Sequence, residues 1–387
     1  MQAMKKVIYG VDRLSDFREE LHYSKLGLLT TGAAMNRRVN ATLQVVNNHF
    51  ELTSLFGAEF GIMGEKGAGE RYETYQDIWT GLAVFSLYRY GAFHFTHEML
   101  ASFDILLIDL PISGLRYDSY ISTIHRLLRQ LGGSNKKVII LDRPNPLGAE
   151  VVEGPVLRDN YKSDEDEFAL PIRHGLTLGE LAIMMNAEDN LGCNLEVIKV
   201  NNWSRSEMQT DTDRAWSLAQ LYYPDLESTL LATGLNLLSG TNIAYGMGTS
   251  MPYKLVGAPF FDAIQLAANL NKVFLPGVQF SPVYFTPTAG IYRGTRIQGV
   301  KINIMNLKKV RPLRTGLALI SEIKRAAGED FVFLPQKDNN STGLKIDYLF
   351  GNSRLSRQFN DFMELSSNSD KEAKAFIEKS KQYWLYE

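Results

Sequence analysis

The first two hundred or so residues confine the fold by alternation. Short, uncharged apolar runs recur at Leu26–Leu29, Leu52–Phe56, Ala83–Ser86, Ile105–Ile108 and Val138–Leu141. Between them lie stretches with helical spacing, near Ala41–Asn48, Thr96–Ser102 and Tyr120–Leu131. A strand buried on both faces needs a continuous apolar run, and a parallel neighbour needs a crossover, most often a helix. The alternation therefore predicts an α/β fold: a Rossmann-like, mainly parallel sheet covered on both faces. Thr177-Leu-Gly-Glu180 has the form of a capping box, which opens a further helix to about Asn186, and Leu195–Val200 is a further strand.

A chain of 387 residues exceeds one ordinary core, so two units are expected. The texture changes over Asn201–Tyr223, a polar stretch without clean period that holds Trp203 and Trp216. The boundary is placed there: residues 1–205 as the Rossmann-like unit, 206–387 as a smaller α+β unit closing a cleft. In the second unit the pattern predicts a helix at Phe260–Lys272, an aromatic segment at Phe280–Phe285, a strand at Val300–Met305 and a helix at Leu313–Ala327. Helix-like segments at Ser356–Glu364 and Lys371–Lys381 end the chain.

Several function classes lose support. Net charge is −2, so no basic surplus points to nucleic acid. No apolar run reaches the roughly 18 residues of a membrane span. Tyr9, Asp12, Arg13 and Asp16 break up what would be a signal-peptide core, so the chain as it stands reads as cytoplasmic. The single cysteine, Cys193, allows neither an internal disulfide nor a cysteine-rich zinc site, and the six histidines lack metal spacing. His94 and His97 read as surface or helix-start residues. Gly57, Gly61, Gly64, Gly67 and Gly69 form either a ligand-approaching loop or a turn-rich one. They fit no phosphate-loop or dinucleotide fingerprint. The acidic run Asp164–Glu167 reads as a solvated loop.

In an open α/β sheet, ligands bind outside the carboxyl ends of the strands. Thr30-Thr31-Gly32 follows the first strand, Gly57-Ala58-Glu59-Phe60-Gly61 the second and Asp109 the fourth, with Gly114-Leu115-Arg116-Tyr117 just beyond. Asp142-Arg143-Pro144-Asn145-Pro146 follows the fifth, its prolines stiffening the turn. Carboxylates, arginines and an amide thus converge on one edge. Glycosidic cleavage uses such groups, one carboxyl protonating the leaving oxygen and another activating water or attacking the sugar.

Longer blocks carry a resemblance. Lys25-Leu-Gly-Leu-Leu-Thr-Thr-Gly32, Leu55-Phe-Gly-Ala-Glu-Phe-Gly61, Leu141-Asp-Arg-Pro-Asn-Pro-Leu-Gly148, Val152-Glu-Gly-Pro-Val-Leu157 and Pro171-Ile-Arg-His-Gly-Leu-Thr-Leu-Gly-Glu-Leu181 occur in order. Gly240-Thr-Asn242, Leu255-Val-Gly-Ala-Pro259 and Pro282-Val-Tyr-Phe-Thr-Pro287 continue them. The chain resembles the NamZ-type exo-β-N-acetylmuramidases over nearly its whole length. The resemblance implies a Rossmann-like domain, an auxiliary domain, an active site between them, and removal of non-reducing-end N-acetylmuramic acid or a related amino sugar from peptidoglycan fragments. It implies neither metal nor organic cofactor, and a small glycan or muropeptide-derived substrate as the partner.

The family's proposed catalytic glutamate corresponds to Glu59, read here as the general acid. Asp109 and Asp142 are candidates for the second catalytic group. Arg116, Arg143 and Asn145 would orient the sugar, one arginine gripping the lactyl carboxylate. Tyr117, Glu153, His174 and Asn242 are further candidates for substrate contact. The chain departs from the family pattern at Ala58 and Phe60, which flank Glu59, and at Ser239, Tyr245 and Met247. Those departures motivate an alternative, a sugar-binding relative without catalysis. A nucleotide-dependent α/β enzyme is a third reading, opposed by the missing phosphate-loop fingerprints.

Overall fold

The computed structural model describes residues 6–67, 70–87, 94–163, 166–217, 223–337, 343–358 and 361–387. Of the positions read above, Gly69, Asp164 and Glu165 lie outside them, as do residues 218–222 of the polar stretch and 359–360 of a closing helix-like segment.

Seven strands form the first sheet: β1 (Leu26–Thr30), β2 (Leu52–Gly57), β3 (Tyr75–Gln76), β4 (Ala83–Ser86), β5 (Ile105–Asp109), β6 (Lys137–Leu141) and β7 (Asn194–Ile198). Their order is β3-β4-β2-β1-β5-β6-β7. Every pairing is parallel except that of the two-residue edge strand β3 with β4. All five residues of β1 and of β5 are buried, which is why their sequences run apolar without alternation. Successive residues still face opposite layers: Leu29, Phe56 and Leu106 join one core, Leu28, Leu55 and Leu107 the other.

The helices Thr42–His49, His97–Ala101, Ser119–Leu131 and Leu178–Glu188 cover the sheet. The capping box forms as expected: Thr177 Oγ1 accepts from the Glu180 N–H at 3.2 Å, and the Glu180 carboxylate accepts from the Thr177 N–H at 3.0 Å. Register pairs Thr30 with Asp109, so the ends of β1 and β5 lie side by side. From there the chain winds outward in opposite senses, which makes the β1/β5 edge the switch point of the sheet.

The second half contains an antiparallel sheet in the order β8-β10-β9: β8 (Leu255–Ala258), β9 (Val278–Phe285) and β10 (Ile297–Ile304). Helices Leu226–Leu235, Ala263–Lys272 and Pro312–Ala327 pack with it. Gly234 and Gly316 let two of these helices touch backbone to backbone; a Cβ on either would overlap main-chain atoms of the other helix. Helix Leu226–Leu235 escapes the sequence pattern because nine of its ten residues are buried, so no apolar stripe stands out. The ending also differs. Helix Arg354–Arg357 stops short, and Asp361 accepts from the Met363 and Glu364 N–H groups to cap one long helix, Phe362–Ser380.

The halves share a core, because Leu115, Leu147 and Ile172 pack with the hydrophobic residues of the second half. Residues beyond 205 stay against the first sheet: Asp213 accepts from the Val7 N–H, Arg214 pairs with Asp12 at 3.1 Å, and Ser217 donates to Ala33 O. The chain end also returns there. The Arg205 N–H donates to Glu387 O at 2.8 Å, and the Arg205 guanidinium lies 3.9 Å over the Trp384 ring. The described half of the acidic run is not a solvated loop: Glu167 pairs with Arg126 at 2.7 Å, and Asp166 stands 3.9 Å from the buried Arg116.

Candidate active site

At the carboxyl end of β2 the chain turns sharply. Gly61, at φ +71°, sends its N–H back to Ala58 O at 3.0 Å, and the Tyr72 hydroxyl donates to the same oxygen at 2.8 Å. Ala58 and Phe60 are buried, leaving Glu59 half-buried between two anchored neighbours. Phe60 meets Tyr120 edge-on at 6.1 Å, so the turn abuts the start of helix Ser119–Leu131. Asp118 caps that helix and also accepts from the Ser113 N–H at 2.7 Å.

The second half brings tyrosines to the same place. Tyr223 and Tyr253 stack at 5.9 Å, and Tyr245 lies 5.7 Å from Tyr253. Burial raises the pKa of Tyr223, and the Asp118 carboxylate and Tyr117 raise it further, which ties the cluster electrostatically to the first half. Burial likewise raises Tyr253 and Tyr117, so these hydroxyls act as hydrogen-bond donors rather than as bases. Sequence reasoning missed this cluster. Its residues are scattered over 117–253, and Tyr117 and Tyr245 stood out only singly, one as a candidate for substrate contact and the other as a departure.

At the switch point, Asp109 is fully buried and takes Arg143 bidentately, through Nε and through Nη2 at 2.7 Å, and it also accepts from the Thr42 hydroxyl. Arg143 Nη2 reaches Met35 O at 3.0 Å, and the guanidinium lies 4.9 Å over the Tyr9 ring. Burial pulls the Arg143 pKa down, but Asp109 outweighs it and the group is raised. Arg143 Nη1 makes no hydrogen bond among the described residues, and the side chain lines a crevice with Pro111, Pro144 and Trp216. That crevice holds about 40 Å³, room for water and not for a sugar ring.

The parallel sheet brings Glu59, Asp109, Asp142, Arg143 and Asn145 to one edge, but the surroundings change several expected roles. Asp142 is fully buried and accepts from the Thr177 hydroxyl (2.7 Å), the Gly179 N–H (2.9 Å) and the Tyr386 hydroxyl (2.6 Å). Desolvation raises its pKa against those bonds. It anchors a helix start and the chain end rather than facing a ligand. Asp109, neutralised by Arg143 in the core, has no path to a sugar either. Asn145 is fully buried, donating to Leu176 O and accepting from the Leu147 N–H, both at 3.0 Å.

Arg116, 1% exposed, donates to Pro155 O, Leu170 O (2.9 Å) and Leu349 O (2.6 Å), and the Tyr117 hydroxyl donates to Leu349 O at 3.0 Å. Both fasten the two halves together. Glu153 is buried against Arg173 at 3.4 Å and accepts from the Leu313 N–H at the start of helix Pro312–Ala327. Burial lowers His174 to about 3, so its ring is neutral, and Nδ1 accepts from the Leu176 N–H at 3.1 Å. Asn242 bonds to Asp330 O and to the Val332 N–H within the second half. These are buried or spent framework groups, because a charge or amide drawn into a core must be paired.

Among the described residues no group of three His, Cys, Asp or Glu could hold a metal, and no helix is long and apolar enough to cross a membrane.

The model of the N-terminal domain of the exo-β-N-acetylmuramidase NamZ matches residues 26–226, and that of its C-terminal domain matches residues 230–386. The chain is 35% identical to the peptidoglycan β-N-acetylmuramidase NamZ of Bacillus subtilis (strain 168), covering 98% of this chain and 92% of that protein. A crystal structure of a DUF1343 family protein from Bacteroides fragilis superposes with a TM-score of 0.87 at 28% identity, over 99% of both chains. A second protein of that description from the same organism, 22% identical with a TM-score of 0.77, shares the fold.

Proposed function

The chain belongs to the NamZ family of exo-β-N-acetylmuramidases, and from that premise we propose that it releases N-acetylmuramic acid from the non-reducing end of peptidoglycan fragments, with Glu59 as the general acid. The observation that carries the assignment of Glu59 is its position. Of the three catalytic candidates it is the one left half-exposed at the strand ends, in a turn whose neighbours are anchored. A carboxylic acid so held can donate its proton to the glycosidic oxygen as the bond to the anomeric carbon breaks. Arg116 is spent on backbone carbonyls, whereas Arg143 keeps Nη1 uncommitted at the small crevice, where a substituent such as the lactyl carboxylate would reach it while the ring stays outside.

With Asp109 and Asp142 withdrawn, the second role passes to the substrate. The carbonyl oxygen of a 2-acetamido group can attack the anomeric carbon while Glu59 protonates the departing oxygen. Water then adds to the cyclic oxazolinium at that carbon, and the Glu59 carboxylate takes up the released proton.

The test is turnover of a disaccharide with N-acetylmuramic acid at its non-reducing end, by wild type and by Glu59→Gln. The variant should keep sugar affinity and lose about 10²–10⁴-fold in turnover. A chromogenic muramide, whose leaving group needs less protonation, should lose less. Near-wild-type turnover by the variant removes Glu59 from the mechanism. Binding without turnover by the wild type makes the protein a sugar-binding relative.

A further inference from the structure

A groove of about 1180 Å³ lies away from the Glu59 turn, between the N-terminal segment and helix Thr42–His49. We propose that this groove is a second binding site, for an acidic amino-sugar oligosaccharide. The saccharide class rests on the function proposed above; the anionic character does not.

The charge of the lining is one-sided. Lys6, Arg18 and Arg38 line the groove, are exposed, and make no side-chain hydrogen bond or ion pair among the described residues. The carboxylate in the lining, Asp12, is already engaged by the Tyr9 and Arg37 N–H groups and by Arg214. Three unneutralised cations around one groove stand out in a chain whose net charge is −2.

The neutral lining points to a sugar. Asn40, Gln44 and Asn48 line the groove at four-residue intervals, and Gln44 and Asn48 are exposed on one face of their helix. A side-chain amide both donates and accepts, which matches the hydroxyl and acetamido groups of an amino sugar. Free guanidinium groups match carboxylates in two-point contact.

The loop that presents Arg38 is built at a conformational cost. Asn36 Oδ1 accepts from the Arg38 and Asn40 N–H groups, closing a tight turn. At its tip Val39, 64% exposed, adopts φ +64°. A β-branched residue in that region is unfavourable, and such strain concentrates where a loop is shaped for binding. The same loop contacts the switch point, since Met35 O accepts from Arg143. The groove thus adjoins the edge of the sheet without including its buried pair.

The experiment compares wild type with the double variant Arg18→Ala/Arg38→Ala on two substrates, a chromogenic monosaccharide muramide and a tetrasaccharide of alternating N-acetylglucosamine and N-acetylmuramic acid. The double variant should lose about tenfold in kcat/KM on the tetrasaccharide, through KM, and nothing on the monosaccharide. The difference should shrink as salt is raised. Equal activity on both substrates overturns the proposal. If the wild type cleaves neither, the proposed function fails and the groove is judged by calorimetry with the tetrasaccharide. Binding weakened about tenfold in the double variant supports it, and equal binding overturns it. An acidic peptide of the same charge that binds as tightly as the tetrasaccharide overturns the saccharide assignment.

Discussion

Replacing Arg143 by Met isolates the energetics of the switch point. Asp109 would stay at 0% exposure with its carboxylate stripped of a bidentate partner. Breaking a buried ion pair from one side costs about 3–5 kcal/mol, because the remaining charge is left uncompensated. Loss of the bond to Met35 O adds roughly 1 kcal/mol, and loss of the contact with the Tyr9 ring about 0.5–1 kcal/mol. The Thr42 hydroxyl remains on Asp109 and the Met stem refills part of the volume, so a net loss of about 4 kcal/mol is expected. For a chain of 387 residues whose halves share a core, that lowers Tm by roughly 5 °C. Urea unfolding at fixed pH measures the loss. The double variant Asp109→Asn/Arg143→Met should lose clearly less than the two single losses added together, since it leaves no orphaned charge. A loss below about 1 kcal/mol for Arg143→Met, or strict additivity in the cycle, would refute the picture of a buried, mutually dependent pair.

Other consequences are as specific. Burial pushes the Glu180 carboxyl up to about 7, against the opposing pull of Arg205 and of the Leu385 and Thr177 N–H groups. A carboxyl raised in the folded state stabilises it most below the ordinary 4.5, and that contribution is lost as pH rises through about 7. Glu180→Gln keeps the capping pattern and should flatten the fall in unfolding midpoint between those pH values; an unchanged slope would contradict the assignment. Val39→Gly should raise stability by about 1 kcal/mol by relieving the left-handed backbone, and a lowered Tm would show that Val39 is not strained there. Attack by the substrate's own acetamido oxygen predicts that the first product keeps the anomeric configuration of the substrate, as read by NMR in the opening minutes of reaction; an inverted first product would require a carboxylate that activates water instead.

The sheet was legible in the sequence because burial on both faces writes itself as uninterrupted apolar runs. Strands β1, β2, β4, β5, β6 and β7 were located within one or two residues at each end, and Thr177 and Glu180 marked their helix by paired side-chain chemistry. What the pattern hid follows from the same physics. Helix Leu226–Leu235 is buried nearly all round and has no polar face to set its period, and the edge strand β3 is only two residues long. At the strand ends, residue type could suggest chemistry but not burial. Asp142 and Asn145 look like site residues in a chain and are framework in the fold, because their partners Tyr386, Thr177 and Leu176 come from distant segments. Glu59 differs in that Gly61, at φ +71°, permits a turn just beyond it that carries it past the end of the strand, a feature readable from the residues themselves.

The electrostatics of the whole edge follow from this division. Asp109 with Arg143 and Glu153 with Arg173 are internal pairs, and Glu180, raised to about 7, stands against Arg205, so these arginines bring little net positive charge to the strand ends. Attraction of a longer, repeatedly charged glycan has to come from cations that are not cancelled. Among the described residues of the groove those are Lys6, Arg18 and Arg38, on the flank of the sheet. Separating recognition from bond cleavage in this way makes the two separately mutable: salt and the Arg18/Arg38 variants should act on KM for long substrates, while Glu59→Gln acts on kcat for all of them.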